Sequence, residues 1–541
     1  MHRKNTSFQN LPFSKLFKTY TSDFSKVDPF YSTNPFDKEA VLEKANQLHL
    51  SGDRSRTVEI LKEFNEPFDV HEQALQNMDR LQEEETLAIV TGQQLGLYGG
   101  PLFTVLKTIS AIHLSRQMEE LLERPVVPIF WLADEDHDYD EVRSIHLLNR
   151  QDELQDFELP KRTSPLPPVA DLSLPPELKL LRKEVRNVLY ETDFSADLWE
   201  LLDQHFSPGN TFLEAFGGFI NHLFSKHGLI LAGSNHPDVK AHTKEILKYS
   251  VNEAEAIKEA LEEQSEKISE QFHQQVTLYD SNLFFLSEEG NRLKINVQED
   301  HWTTEEGHKW TTEELLQKID EMPEQFSPNV FLRPLLQDEF LPTLGYVAGP
   351  GELAYYGQMK ELYACFDHEM PVIFPRLSAA IIEPSIERII DKLPFGYEAY
   401  SQRIEDLESA YVEQSDQVDI EAIFDGWKQK VEQAIAPEKE KVAAVDPTLD
   451  GAAGKATAVY FGELDKLKGK VYRAAKQQDQ TQLNRIRKIK KNIFPDGSLQ
   501  ERSISVIYFM NKFGVEIWDE LLASLEEGEI FDQHKLFYLQ S

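Results

Sequence analysis

Residues 86–141 read TLAIVTGQQLGLYGGPLFTVLKTISAIHLSRQMEELLERPVVPIFWLADEDHDYDE, and the order of elements in them decides the fold. Leu87 to Val90 is a short apolar run, long enough for a buried strand. The loop Thr91–Pro101 follows. It carries four glycines, Gly92, Gly96, Gly99 and Gly100, whose backbone can take positive φ and come close to a ligand. Pro101 stands where a helix begins, the position that tolerates its missing N–H. Leu102, Val105, Ile109 and Ile112 recur at helical spacing, which predicts one inward face. Val126 to Ala133 is a second apolar run. It ends in Asp134-Glu135-Asp136-His137-Asp138-Tyr139-Asp140-Glu141, six acids in eight positions. Strand, glycine loop, helix and strand make a βαβ unit with polar loops at the carboxyl ends of its strands, the edge where open α/β sheets bind ligands.

The loop matches neither G-x-x-x-x-G-K-[ST] nor G-x-G-x-x-G. The helix start at Gly100-Pro101 nevertheless offers free N–H groups and a positive dipole to an anion. Thr91, Gln93, Gln94, Gly99 and Gly100 are therefore candidate ligand contacts. Lys107, two turns into the helix, is expected to face solvent.

Composition narrows the function classes. The 541 residues suggest three or four structural units. Lys and Arg number 56 against 93 Asp and Glu, a formal net charge of −37. Such a field repels nucleic-acid phosphate and anionic membranes, so neither is an expected partner. The single cysteine, Cys365, allows no disulfide within the chain and suits a reducing cytoplasm. Its place beside Leu362 and Phe366 predicts a buried thiol. The N-terminus lacks the apolar core of a signal peptide. The longest apolar runs fall far short of the ~20 residues that span a bilayer.

Before the central stretch, helices are expected over Asp37–Leu48, Thr57–Phe64 and His71–Glu85, with a break at Ser51-Gly52-Asp53. After it, residues 150–210 and 238–326 have the character of insertions. The first is proline-rich, with a helix over Glu177–Glu191. Phe212–His227 reads as a helix and Leu229–Ala232 as a third strand. That strand ends in Gly233-Ser234-Asn235-His236, which puts Asn235 and His236 at the same sheet edge. Asp238–Phe272 reads as one long charged helix. Leu283–Leu286 and Leu293–Ile295 read as a hairpin. His301, Trp302, His308 and Trp310 are expected to pack as rings rather than bind a metal. Thr311–Glu314 resembles a capping box. Leu344–Ala348 then leads through Gly349-Pro350-Gly351-Glu352 into a helix over Leu353–Phe366, which repeats the first unit. Tyr356 and Gln358 lie one to two turns in. A further strand, Val372–Phe374, brings Arg376 to the same edge. Beyond Ile381, apolar residues step by threes and fours over Ile420–Ala434 and Leu449–Ala474. The pattern predicts an antiparallel coiled-coil hairpin whose turn lies between Pro437 and Pro447. Its apolar seam suits a dimer contact. Arg485, Arg487, Lys488, Lys490 and Lys491 form a basic cluster, either a solvated helix face or one paired with acids elsewhere, or a site for nucleotide phosphate or an acidic substrate.

Three stretches, TGQQLGLYGGPLFTVLKT, WLADEDHDYDEV and SPNVFLRPLLQDEFLPTLGYVAGPGELAYYGQ, closely resemble the BshC family, and the likeness extends over essentially the whole chain. Proteins of that family are assigned the cysteine-adding last step of bacillithiol biosynthesis. The resemblance implies an α/β fold: a Rossmann-like core of nucleotidylyltransferase type over residues 1–382, two inserted connecting segments, an α-helical coiled coil over 383–493, and a tail, 494–541, returning to the core. It also implies a homodimer through the coiled coil.

The chemistry implied is amide formation between cysteine and the amine of glucosaminyl-malate. That step is uphill in water and needs an activated carboxylate, for which ATP and Mg²⁺ are expected, through an acyl phosphate or an acyl adenylate. The acidic loop offers oxygens to Mg²⁺, and His137 can serve as acid or base. Asp136, His137 and Glu352 are the candidate catalytic residues. Asp134, Asp136, Asp138 or Glu352 can take the amine, and Arg333 or Arg376 the malate. Gln93-Gln94 and Gly99-Gly100 stand where adenylate-forming enzymes of this fold usually carry paired histidines, and no lysine-rich signature loop is found. The alternative is a non-catalytic nucleotide-binding or scaffold protein of the same pathway.

Overall fold

The computed structural model describes the chain apart from residues 49–52, 164–166, 289, 299–300, 415–418 and 540–541. The expected break at Ser51-Gly52 thus lies outside the described residues. The chain divides into two compact units, residues 1–381 with 500–537 and residues 382–499 with 538–541.

The first unit is built on five parallel strands: β1 (Leu87–Gln93), β2 (Val126–Leu132), β3 (Ile230–Gly233), β4 (Thr343–Ala348) and β5 (Val372–Pro375). They lie in the order β5-β4-β1-β2-β3. All four neighbouring pairs are parallel. Every residue of β2 through β5 is buried, which is why these strands read as continuous apolar runs instead of alternating ones. The chain moves outward from β1 to β2 and β3, then returns to β4 and β5 on the other side. The topological switch point therefore falls between β1 and β4, where sheets of this order open a crevice at their carboxyl ends.

Helix α1 (Phe103–Leu122) packs on β1 and β2. Every residue from Thr104 to Ser115 is buried, so α1 has no exposed face there. Between β2 and β3 lie the hairpin Ser144–Leu148/Leu154–Glu158, two helices, and α2 (Phe212–Phe224), which opens on a capping box formed by Thr211 and Glu214.

The single long helix expected over 238–272 is two, α3 (Pro237–Asn252) and α4 (Ala254–Ser269). Glu253, at φ −107° and ψ 26°, ends one and opens the other. The break lets the two helices follow different partners, for α3 packs on Leu332–Phe340 and α4 on Lys360–Cys365. The helix expected over 353–366 is also divided, into α5 (Pro350–Tyr356) and α6 (Lys360–Cys365). A Cβ on Gly357 would lie 3.0 Å from the Tyr31 hydroxyl, which itself donates to the Leu353 carbonyl at 2.8 Å. Cys365 closes α6 half-buried rather than buried, and burial, followed by Glu361 and Glu253, pushes its thiol up.

The hairpin Leu283–Leu286/Arg292–Lys294 is present, as is the Thr311–Glu314 capping box. His308 and Trp310 stack with ring centroids 5.5 Å apart, and both pack on Phe285.

The second unit is helical. Ile420–Val445 and Asp450–Gln478 form a hairpin. Its turn is Asp446–Leu449, and Pro437 lies inside the first helix instead of at the turn. Ile420, Phe424 and Leu464 of the hairpin pack with Val412 of the preceding helix, Ile404–Gln414, in a small core. Among the described residues no helix is long and apolar enough to cross a membrane.

Candidate active site

A cleft of about 450 Å³ opens over the carboxyl ends of the sheet at the switch point. β1 contributes Gly92 and Gln93, and Gln94 follows. Trp131 and Asp136 come from the end of β2 and its loop. Tyr346 lies in β4, and the turn Gly349–Glu352 follows it.

The centre of the cleft is an ion pair. Glu352, in the first turn of α5, reaches back to accept the Gly349 N–H at 2.7 Å. Tyr346 donates its hydroxyl to the other carboxylate oxygen, also at 2.7 Å. Lys107 Nζ lies 2.5 Å from Glu352 Oε2 and donates to the Gly92 carbonyl at 2.7 Å and Gln93 Oε1 at 3.2 Å. Lys107 is buried, not solvent-facing as its sequence position suggests. Burial lowers its pKa; Glu352 opposes that, and Arg376 and Arg333 add to it. The amine is thus easier to deprotonate than an ordinary lysine.

Four guanidinium groups complete the cleft: Arg292, Arg333, Arg376 and Arg502. Arg376 is held by the Leu377 carbonyl at 2.8 Å and by Glu501 at 2.6 Å. Glu501 is fully buried and also accepts the Ala379 N–H at 2.7 Å. Burial alone would raise Glu501, but Arg376 and these donors outweigh it and hold the carboxylate below its ordinary range. Arg292 lies 3.7 Å from the Phe284 ring and donates to Ser327 Oγ and the Pro328 carbonyl. Arg333 sits 5.9 Å from the Tyr346 ring and donates to Gln337 Oε1 at 3.2 Å. Arg502 is exposed and forms no ion pair with a described residue. Five cations therefore line the cleft against three carboxylates, Glu135, Asp136 and Glu352. Two of those three are already paired, Glu352 with Lys107 and Glu135 with Lys240.

The acidic loop is mostly spent on its own conformation. Asp134 is buried and accepts the N–H groups of Ser234 at 2.9 Å and Asn235 at 3.1 Å, tying the ends of β2 and β3 together. Burial, then Glu135, push its carboxyl up to about 7 against those donors. Asp138 caps the helical turn Tyr139–Val142, and Asp140 pairs with Arg143. Glu141 accepts from Gln94 at 2.8 Å. Asp136 lines the cleft, and among the described residues its carboxylate accepts one hydrogen bond, from the Asp138 N–H at 3.1 Å. His137 does not line the cleft. Its Nδ1 lies 2.9 Å from the Glu135 carbonyl, its Nε2 is buried without a partner among the described residues, and burial followed by Arg292 lowers its pKa.

Of the residues expected at the site, the fold brings Gln93, Gln94, Asp136, Arg333, Glu352 and Arg376 to the cleft. Thr91 instead bonds the Val347 carbonyl, joining β1 to β4. Gly99 packs against Phe219 and Val506, while Gly100 lines a neighbouring cavity. His236 caps α3 through its ring nitrogen, and Asn235 Nδ2 reaches Asp171 at 3.4 Å. His236 also belongs to the one group of potential metal ligands among the described residues, with Glu63 and Asp238. Tyr356 is buried against Tyr346. Gln358 bonds Ser265 and the backbone of Val276. In the second unit Arg487 pairs with Glu408, and Lys490 donates to the carbonyls of Tyr400 and Gln402. Lys488 and Lys491 are partnered too.

Sequence reading missed Lys107, Arg292 and Arg502. One signal existed for Lys107: its neighbours one turn away, Phe103, Thr104, Ser110 and Ala111, include no charged residue, so it belongs to no charged, solvated face.

Comparison with known proteins agrees with this architecture. Residues 1–377 match the N-terminal Rossmann-like domain of bacillithiol biosynthesis BshC. Residues 379–539 match its C-terminal coiled-coil domain. A protein of Salinibacter ruber is 31% identical over 520 residues, 95% of this chain and 94% of the relative. One of Chlorobaculum tepidum is 32% identical, covering 97% of each. One of Geobacillus kaustophilus is 29% identical, covering 97% and 98%. All three are named as candidate cysteine ligases BshC.

Proposed function

The chain belongs to the BshC family, and on that premise we propose that it joins the carboxylate of cysteine to the amine of glucosaminyl-malate in bacillithiol formation. One observation carries the reading. In a chain of net charge −37, five cationic side chains converge on one cleft at the switch point of the sheet. Such a site attracts a polyanion out of solution, and both the malate carboxylates and nucleotide phosphates meet that description.

Each residue has a part in this reading. Arg333 and Arg376, fixed by Gln337 and Glu501, orient carboxylate or phosphate oxygens in the geometry a guanidinium suits. ATP, when bound, supplies carboxylate activation as an acyl phosphate or an acyl adenylate. Asp136, which lines the cleft and has no Lys or Arg partner among the described residues, is suited to a Mg²⁺ ion that draws its other ligands from phosphate and water. Glu352 takes the proton that the amine must lose before it attacks. Lys107 holds Glu352 in place and faces the negative charge that develops on the attacked carboxyl oxygen. A single cysteine and a thiol product suit a reducing cytoplasm.

The test is turnover. Purified protein with Mg·ATP, cysteine and glucosaminyl-malate is expected to yield the cysteinyl amide by mass spectrometry. AMP among the products indicates an adenylate, ADP an acyl phosphate. Nucleotide binding without amide contradicts the ligase reading and favours a scaffold role.

The same proposal includes a homodimer through the hairpin of the second unit. Val459 is 63% and Val445 83% exposed there, with Ile423 and Trp427 also open to solvent. An apolar face of this kind suits self-association. Val459→Glu is expected to shift the mass measured by light scattering toward the monomer; an unchanged mass contradicts this part.

A further inference from the structure

Beside the main cleft lies a second cavity, of about 250 Å³, walled by the glycine loop, the start of α1 and the segment Ser503–Ser505. The two cavities share Gln93, Gln94, Phe103 and Arg502. We propose that this side cavity seats the smaller substrate, a zwitterionic α-amino acid, next to the cation-lined cleft that takes the polyanion. The assignment rests on the ligase reading for its identity as cysteine, but not for its chemistry.

Two buried hydroxyls point to a ligand. Thr104 and Ser505 both line the cavity and are 0% and 1% exposed. Among the described residues neither Thr104 Oγ1 nor Ser505 Oγ has a hydrogen-bond partner. A buried hydroxyl without a partner is costly, and apolar residues of the same shape would remove the cost. Thr104 is not satisfied by the turn before it, as a helical threonine commonly is. Thr108 and Ser110 in the same helix both donate to carbonyls four residues back, at 3.0 and 2.6 Å. The hydroxyls of Thr104 and Ser505 are therefore available to a polar guest.

The charges at the cavity match a zwitterion and not a polyanion. Glu141 stands on one side with a carboxylate for an ammonium group, and among the described residues that carboxylate accepts a hydrogen bond from Gln94 alone. Arg502 stands on the wall shared with the main cleft and has no ion-pair partner among the described residues. A carboxylate held at Arg502 thus faces the space where the activating group and the amine are placed by the reading above. The ammonium and side chain point away from it, toward Glu141 and the hydroxyls. Gly100 keeps the cavity open, since a Cβ there would lie 3.3 Å from Thr104 Oγ1.

The experiment measures cysteine binding directly, by calorimetry on the full chain, apart from turnover. Thr104→Val and Ser505→Ala remove one hydroxyl each with little change of shape, and Glu141→Gln removes the ammonium partner. Cysteine is expected to bind the wild type and to bind each variant about tenfold or more weakly. The melting temperature of Thr104→Val should stay level or rise, because an unpaired hydroxyl has gone; a purely structural hydroxyl would give a fall. No cysteine binding to the wild type, or wild-type affinity in all three variants, overturns the proposal. Turnover separates the two readings. Cysteine bound through these residues without any amide formed sinks the ligase reading and leaves the subsite. Amide formed with an unaltered KM for cysteine in all three variants sinks the subsite and leaves the ligase.

Discussion

Two strand-to-helix turns flank the switch point, and they divide the work unequally. The loop after β1 has three glycines, Gly96, Gly99 and Gly100, and opens on Gln94. It buries Leu97 and Tyr98 completely and holds Tyr98, Gly99 and Gly100 at positive φ. Its glycines serve close packing: a Cβ on Gly99 would fall 2.5 Å from Phe219 Cε1 and 2.9 Å from Val506 Cγ2. The turn after β4 is plainer. Gly349 has an ordinary φ of −73°, and its neighbour Glu352 delivers the carboxylate that meets Lys107. A conspicuous glycine pattern reports where the backbone is crowded, and the charge that defines the cleft comes from the turn with fewer signals.

Breaking the ion pair between the two turns should have the largest effect. Lys107→Met leaves Glu352 and the Gly92 carbonyl without their cation in a buried setting, a loss of about 3 kcal/mol. Adding Glu352→Gln removes the stranded charge, so the double variant should be more stable than the single one in urea titration. Additive losses would show that the two groups do not depend on each other. Next in size is the packing contrast. Gly99→Ala combines a left-handed φ with the clash on Phe219 and should cost about 2 kcal/mol. Gly349→Ala meets only Glu352 Oε2, at 3.2 Å, and should cost less than about 1 kcal/mol. Equal losses would erase the distinction drawn between the turns.

The remaining contrast is read as a slope against pH and concerns the turn after β2. Asp134 holds its proton up to about 7 in the folded protein, because of burial and then Glu135, while the unfolded chain releases it near the ordinary aspartate value. The folded state therefore binds more protons between those limits, and stability falls as pH rises through that window. The slope is at most roughly 1.4 kcal/mol per pH unit. Denaturation of wild type and Asp134→Asn from pH 5 to 8 should show this slope in the wild type and a flatter line in the variant. Parallel lines would mean that Asp134 stays ionised throughout.

The βαβ frame was legible because its buried strands are unbroken apolar runs bounded by glycine or acid, and the hairpin of the second unit because its apolar steps are long. The breaks at Glu253 and Gly357 were not. Nothing at Asn252-Glu253 forbids a helix, and the division follows from which neighbours α3 and α4 find. Pro437 misled in the opposite sense, since a helix packed on a partner tolerates a proline that an isolated one would not. At the site, Gln94, Asp136 and Glu352 stand next to strand ends, where position along the chain nearly dictates position in space. Lys107, Arg292 and Arg502 do not. Lys107 points back from within α1, Arg292 arrives on a hairpin inserted between β3 and β4, and Arg502 comes from the far end of the chain. Their convergence is tertiary, and no local pattern announces it.

The most direct test of the account is amide formation by the Lys107→Met/Glu352→Gln double variant beside the wild type. The variant keeps the net charge of the pair and is expected to remain folded. Given Mg·ATP, cysteine and glucosaminyl-malate, the wild type should yield cysteinyl amide and the folded double variant at least a hundredfold less. Wild-type amounts of amide from the variant would contradict the placement of the chemistry between these two turns.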